Sequence, residues 1–207
     1  MPRPSPRAPE TGERAETLAL FAVALRPPTD VQALKKCLGG LQERLQGNAA
    51  SEVAEASSRL AEEAWPEREY HRLFLGPVRP AAPPFESVYR EGIAFGSSAR
   101  TFLEEMRAMG VEPVEEFRLP PDHVAIQLEY LANLEHRAER AKAEGNLEEF
   151  LLWSERSRSF VEEHLARWLP AFLTRLEEKA PWSPYTGLVR AALEFLRLPR
   201  DAAPEDP

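Results

Sequence analysis

Apolar residues recur every three or four positions along most of this chain, the period of helices that bury one face. Thr11 to Leu25 is apolar over a broad face and stops before Pro27 and Pro28, because proline disfavours helix in the residue ahead of it. Val31, Leu34, Leu38, Leu41 and Leu45 hold the next stripe, with Thr29 and Gln32 at capping-box spacing and Gly39-Gly40 weakening its middle. A third, alanine-rich helix is expected from Ser51 to Trp65, ended by Pro66. Ser98 is placed to cap a helix whose Phe102, Leu103, Met106 and Met109 face inward, with Gly110 as its C-terminal stop.

The most apolar pattern begins near Pro121-Asp122 and runs to about Glu144. Val124, Leu128, Leu131 and Ala138 form one side and Ile126, Tyr130 and Leu134 widen it, which predicts a centrally placed helix. Asn146, three residues before Glu149, opens a long helix through Phe150, Leu151, Ser154, Val161, Leu165, Trp168, Phe172 and Leu176, in which Pro170 predicts a kink. Pro184 to Leu198 reads as a last helix, and no segment alternates with period two. The pattern predicts an all-α fold, a single helical domain of about seven to nine helices over residues 11–198. Proline-rich tails at 1–10 and 199–207 read as flexible, and the joint near 110–121 is a candidate hinge between two helical lobes.

Composition narrows the function. Of 207 residues 43% are apolar, enough for a core, and the net charge of −8 (26 minus 34) favours cationic partners over nucleic acid. Cys37 is the single cysteine, so neither an intramolecular disulfide nor a cysteine-based zinc cluster is expected, and a reducing compartment fits. The apolar run Leu18 to Leu25 is far shorter than the roughly 20 residues of a bilayer span, and no signal-peptide pattern follows the opening MPRPSPRAPE. Cytoplasmic residence without membrane insertion is the expectation.

Little in the sequence carries catalysis. His71, His123, His136 and His164 never fall at the spacing of a zinc-binding helix, and Cys37 beside Lys35-Lys36 reads as a small core or boundary residue. Asp122-His123 is the most distinctive polar pair. An acid at a helix start gains about 0.3–1 kcal/mol from the helix dipole, whereas a protonated histidine there opposes it. Glu129, between Leu128 and Tyr130, is either an acid on an exposed edge or a functional carboxylate. The alternative to a binding protein is therefore a helical hydrolase or nucleotide-using enzyme with Asp122, His123 and Glu129 as acid and base, lacking any nucleotide loop or metal set.

Residues 70–89, YHRLFLGPVRPAAPPFESVY, break the helical pattern. Tyr70, Leu73 and Phe74 have helical spacing and Gly76-Pro77 ends that turn. Pro83 to Tyr89 alternates stiff backbone with aromatics around one acid, Glu86, which suits capture of a peptide with a guanidinium against the acid.

The order Tyr70-x-x-Leu73-Phe74-x-Gly76-Pro77, Pro84-x-Glu86-Ser87-x-Tyr89, Met109-Gly110, Pro121-Asp122-His123-Val124, Leu128-Glu129-Tyr130-Leu131 and His164-Leu165-x-x-Trp168-Leu169-Pro170-x-Phe172 resembles the TorD/DmsD family of redox-enzyme maturation chaperones. That resemblance covers residues 65 to about 175. It implies a cytoplasmic all-helical protein without catalytic activity that binds the twin-arginine signal peptide and apo form of a molybdenum-cofactor oxidoreductase, assists cofactor insertion and delays export. It implies no cofactor beyond weak binding of guanine nucleotide, and it admits a domain-swapped homodimer. The peptide-binding surface it implies comprises Tyr70, Leu73, Phe74, Gly76, Pro77, Pro84, Glu86, Ser87, Tyr89, Asp122 and His123. Phe85 and Tyr89 supply the aromatics where family members commonly carry tryptophan or tyrosine after the double proline, and Glu129 joins Glu86 and Asp122 as a candidate partner for the arginines.

Overall fold

A computed structural model describes residues 12–60, 65–76, 80–111 and 119–198. In them the chain forms α1 (Glu13–Ala24), α2 (Val31–Arg44), α3 (Gly47–Arg59), α4 (Trp65–Tyr70), α5 (Glu86–Glu91), α6 (Ser97–Ala108), α7 (Val124–Ala143), α8 (Leu147–Phe160), α9 (Ala166–Lys179) and α10 (Pro184–Leu196). The expected tails, Pro77 and most of the expected hinge lie outside the described residues.

The all-α expectation holds, and α7 is the central element because it is apolar nearly all round. Leu128, Leu131, Tyr130 and Leu134 are buried on different sides, and even Gln127 and Glu135 are covered. Helices α1 and α8 pack against α7, α2 bridges α1 and α3, and α10 packs on α3 and α9. One apolar core links Phe21, Leu38, Leu131, Trp168 and Tyr185, while Ala138, Ala141 and Phe150 form a small cluster at the far end of α7.

Several helix ends differ from the sequence reading. Asp30 rather than Thr29 caps α2, its carboxylate accepting from the N–H groups of Gln32 and Ala33 at 2.8 and 3.2 Å. Helix α3 starts at Gly47, ahead of Ser51, and Pro66 lies in the first turn of α4, where its missing N–H leaves no helical bond unmade. Ser98 lies inside the first turn of α6. The cap there is Glu91, whose carboxylate accepts from the N–H and hydroxyl groups of Ser97 and Ser98 at 2.5–2.9 Å. Phe102 and Met106 of α6 are buried as expected, whereas Leu103 and Met109 are half-buried.

Other expectations hold. Gly110 takes φ +68°, and the N–H groups of Gly110 and Val111 bond back to the carbonyls of Arg107 and Met106, both at 2.9 Å. The Asn146 side chain accepts from the Glu149 N–H at 3.2 Å and caps α8. A π-turn, Val161–Leu165, joins α8 to α9 and lies just ahead of Pro170, so the change in hydrogen-bond register precedes the proline. Leu151 points outward, 52% exposed, because the inward line of α8 runs through Phe150 and Ser157, and Leu151 stands about 100° away from it.

Candidate functional site

The proline-rich strip is pinned to the body from both sides. The Ala82 N–H donates to the Leu73 carbonyl at 2.9 Å, and the Arg175 guanidinium donates to the Ala81 carbonyl at 2.8 Å. Further along, the Val124 N–H bonds to the Pro84 carbonyl and the Glu86 N–H to the Asp122 carbonyl, which forms an isolated antiparallel bridge between Phe85 and His123. Prolines lack the N–H for a regular ladder, so these few bonds and the side chains below must hold the segment.

Asp122 and His123 perform that holding. The Asp122 carboxylate accepts the Ser87 N–H at 2.9 Å and so stands at the start of α5, not in the first turn of α7. His123 is the N-cap of α7, its Nδ1 accepting the Ala125 N–H at 3.0 Å. That bond leaves the ring proton on Nε2, which donates to the Tyr70 hydroxyl at 3.2 Å. Burial, with a smaller contribution from Arg26, lowers its pKa to about 3, so the ring is neutral.

Glu86 is the hub of a second network. Its carboxylate meets Arg90 at 2.5 Å, His164 Nδ1 at 2.9 Å and the Gln127 amide, while Gln127 in turn accepts the Trp168 indole N–H at 2.9 Å. His164 Nε2 lies 3.4 Å from Glu105, which also accepts the Tyr130 hydroxyl at 3.2 Å. Burial opposes charge on His164, yet its bonds to Glu105 and Glu86 and their charges outweigh that and raise its pKa to about 9. Burial likewise opposes the Glu86 carboxylate, but His164, Arg90 and Gln127 hold its pKa below the usual range.

Behind the strip Tyr70, Phe74 and Tyr185 meet edge to face with ring centroids 4.8–5.6 Å apart, and Tyr89 stacks on Trp168 at 5.5 Å. In front, the Phe85 ring faces that of Phe95 at 6.4 Å, inclined by 28°. Phe95 is 69% exposed and holds φ +62°, a left-handed conformation that costs a bulky residue on the order of 1–2 kcal/mol. Ile93 beside it is 63% exposed.

Residues 28–174 match the family model described as nitrate reductase delta subunit. A chaperone protein TorD from Vibrio cholerae is 31% identical over 169 residues, covering 81% of this chain and 72% of that protein. The chain belongs to the TorD family of redox-enzyme maturation chaperones. A TorD from Vibrio vulnificus is 28% identical over 131 residues, covering 62% of this chain and 60% of that one. A solved structure described as a redox enzyme maturation protein from Archaeoglobus fulgidus superposes with a TM-score of 0.63 at 22% identity, covering 89% and 94% of the two chains, which shows the shared fold.

In this TorD-family chaperone the sequence candidates divide by depth. Tyr70, Leu73, Phe74, Pro84, Glu86, Ser87, Asp122 and His123 are buried together; Gly76 closes the turn before the strip with φ +60°; Phe85 and Tyr89 are half-buried. Glu86 and Asp122 therefore do not present open carboxylates to an incoming arginine, because both are fully buried, Glu86 inside its own network and Asp122 with one oxygen on the Ser87 N–H. Glu129 is the exposed carboxylate of the three, its side chain 49% exposed and paired with Arg26. Asp122 and His123 serve as caps and Glu129 pairs with Arg26, and the family to which the chain belongs is one of chaperones rather than enzymes. Cys37 is inert by the same measure, since burial, only partly offset by hydrogen bonding, pushes its thiol up to about 12.

Sequence reasoning missed Gln127, Glu105, Arg90 and Phe95. Gln127, a polar residue inside the most apolar helix, was the available signal; Phe95 had none, since only its backbone conformation marks it. Among the described residues no helix is long and apolar enough to cross a membrane, and no group of three His, Cys, Asp or Glu residues is placed to hold a metal ion.

Proposed function

We propose that this protein is a cytoplasmic, system-specific chaperone that binds the twin-arginine signal peptide and the apo form of a molybdenum-cofactor oxidoreductase, assists cofactor insertion and delays export. The observation that carries this reading is the outer edge of the strip. Exposed apolar patches on a rigid frame mark docking surfaces, and Phe95 keeps a strained backbone and a solvent-facing ring stacked on Phe85. Phe85, Ile93 and Phe95 form the contact edge for the apolar part of the peptide, and Tyr89 backs it. Tyr70, Leu73, Phe74, Gly76, Pro84, Glu86, Ser87, Asp122 and His123 are its frame, and Glu129 stands at its rim.

A pre-stiffened edge loses little entropy on binding, and micromolar affinity needs only about −8 kcal/mol net. The net charge of −8 speeds encounter with a basic peptide, whereas selectivity rests on local contacts because exposed charges are screened over about 8 Å at physiological salt. The chaperone carries no resident cofactor in this reading.

Co-purification from the native cytoplasm, with mass spectrometry of the retained protein, tests it beside a Phe85→Ala, Phe95→Ala double variant. Recovery of one molybdoenzyme precursor with its signal peptide intact, lost with the variant, is expected. Recovery of mature or unrelated proteins in equal amount by both chains would sink the reading.

A further inference from the structure

A second feature lies away from the strip, on the outer side of α1 and α2. These helices run antiparallel, as contacts between Glu16 and Arg44, Leu20 and Gly40, and Leu20 and Cys37 show. Between them lies a groove of about 690 Å3 with a floor of Ala19, Leu20, Val23, Ala33, Gly39 and Gly40. Volumes of this size are those of binding pockets.

The two glycines separate in their reasons. Gly40 has a packing reason, since a Cβ there would stand 3.1 Å from Leu20 Cδ1 and the leucine would have to shift. Gly39 has no such reason: its φ is not left-handed, and a Cβ would meet nothing within 4 Å. A glycine inside a helix costs roughly 0.8–1 kcal/mol relative to alanine. Nothing within the fold compensates for that at position 39; its effect is to leave the groove floor bare for close approach from outside.

The ends of the groove differ in charge. At one end stand Glu16 and Glu43 with Arg44, which lies 2.7 Å from Glu16 and 4.0 Å from Glu43; two carboxylates against one guanidinium leave that end net negative. Lys36 lines the other end, beside Val23. A helix with arginines at its N-terminus and an apolar body complements this arrangement. Its cations and the positive end of its dipole meet the acidic end, and its apolar body lies on the bare floor.

The Lys36 end also leads to the strip. One turn beyond Val23 is Arg26, which pairs with Glu129 and lies near His123, and the His123 ring is 5.5 Å from Phe85. Glu16 to Val23 spans about 10 Å of helix, so an apolar helix longer than that continues past Arg26 toward Phe85 and Phe95.

We infer that the α1–α2 groove is the seat of the basic N-terminal end and first apolar turns of the client's signal peptide, with its arginines at Glu16 and Glu43 and its apolar body running toward the strip. This rests on the proposed function and changes where the arginines are read: at exposed carboxylates of α1 and α2, not at buried Glu86 and Asp122.

Calorimetry on the full chain tests it with a synthetic peptide of two adjacent arginines followed by about 14 apolar residues, roughly 20 Å of helix. Gly39→Leu fills the groove at a position with open space while improving helix propensity, so its melting temperature does not fall. The expected result is at least a tenfold loss of peptide affinity in Gly39→Leu and a several-fold loss in Glu43→Lys. A peptide with its arginines moved behind the apolar stretch is expected to bind the wild type more weakly. Full affinity in Gly39→Leu with loss in Phe95→Ala would overturn the groove and keep the strip as the whole site. No binding to the wild type would overturn both readings. A change in sedimentation of Gly39→Leu without a change in peptide affinity would make the groove an interface between copies and overturn the inference.

Discussion

His123 and His164 are opposite solutions to burying an imidazole. His123 is neutral and uses one nitrogen to cap α7 and the other to hold Tyr70. Replacing it with alanine removes a cap worth about 1 kcal/mol and the Tyr70 bond, so His123→Ala is expected to cost about 1–3 kcal/mol in urea unfolding. His123→Asn retains a cap acceptor and is expected to lose less. His164 is charged between Glu86 and Glu105, with a pKa raised from 6.5 to about 9. A raised folded-state pKa stabilises fully below the unfolded value and ceases to do so as pH rises through the folded one. The urea midpoint is therefore expected to fall between about pH 6.5 and 9, by up to about 3 kcal/mol of stability, and His164→Gln to flatten that slope. Glu86, with a lowered pKa, acts in the opposite window, its contribution waning as pH drops below 4.5.

Among the helices, the tertiary supply of caps sets the starts of α1, α5 and α6. Local signals served where the cap is a neighbour in sequence, as with Asn146 for α8 and Gly110 after α6. They did not serve where it comes from elsewhere: Glu91 reaches forward over a loop to α6, Asp122 reaches α5 from 35 positions away, and Glu139 of α7 accepts the Ala15 N–H at the start of α1. Glu91 is held in the charged form down to a pKa of about 2 by its bonds to Ser98 and Ser97. Glu91→Ala is expected to speed hydrogen exchange at the amides of Ser97 and Ser98 while leaving the middle of α7 protected. Unchanged exchange at those two amides would show that the cap does not order the helix.

Across the whole molecule, Glu86 ties α5, α7 and the π-turn before α9 into one body, and through His164 it reaches α6. Removing one member of a buried charged set leaves the others uncompensated, so Glu86→Ala is expected to cost about 3–5 kcal/mol in thermal or urea unfolding. Loss of client binding in that variant would then report a collapsed frame, which is why the binding tests above use Phe95, Gly39 and Glu43. The sequence by itself determined the helical class, the central place of α7 and the break in helical pattern at the strip, because helical periodicity and turn residues are local properties of the chain. It did not determine which way the strip's polar residues face. A carboxylate among aromatics reads as exposed, since charge is rarely buried unpaired, and the histidine that allows its burial lies 78 residues away. Only the tertiary structure decides such pairings, along with the conformation of Phe95 and the open groove at Gly39, because each depends on segments distant in sequence meeting, or failing to meet, in space.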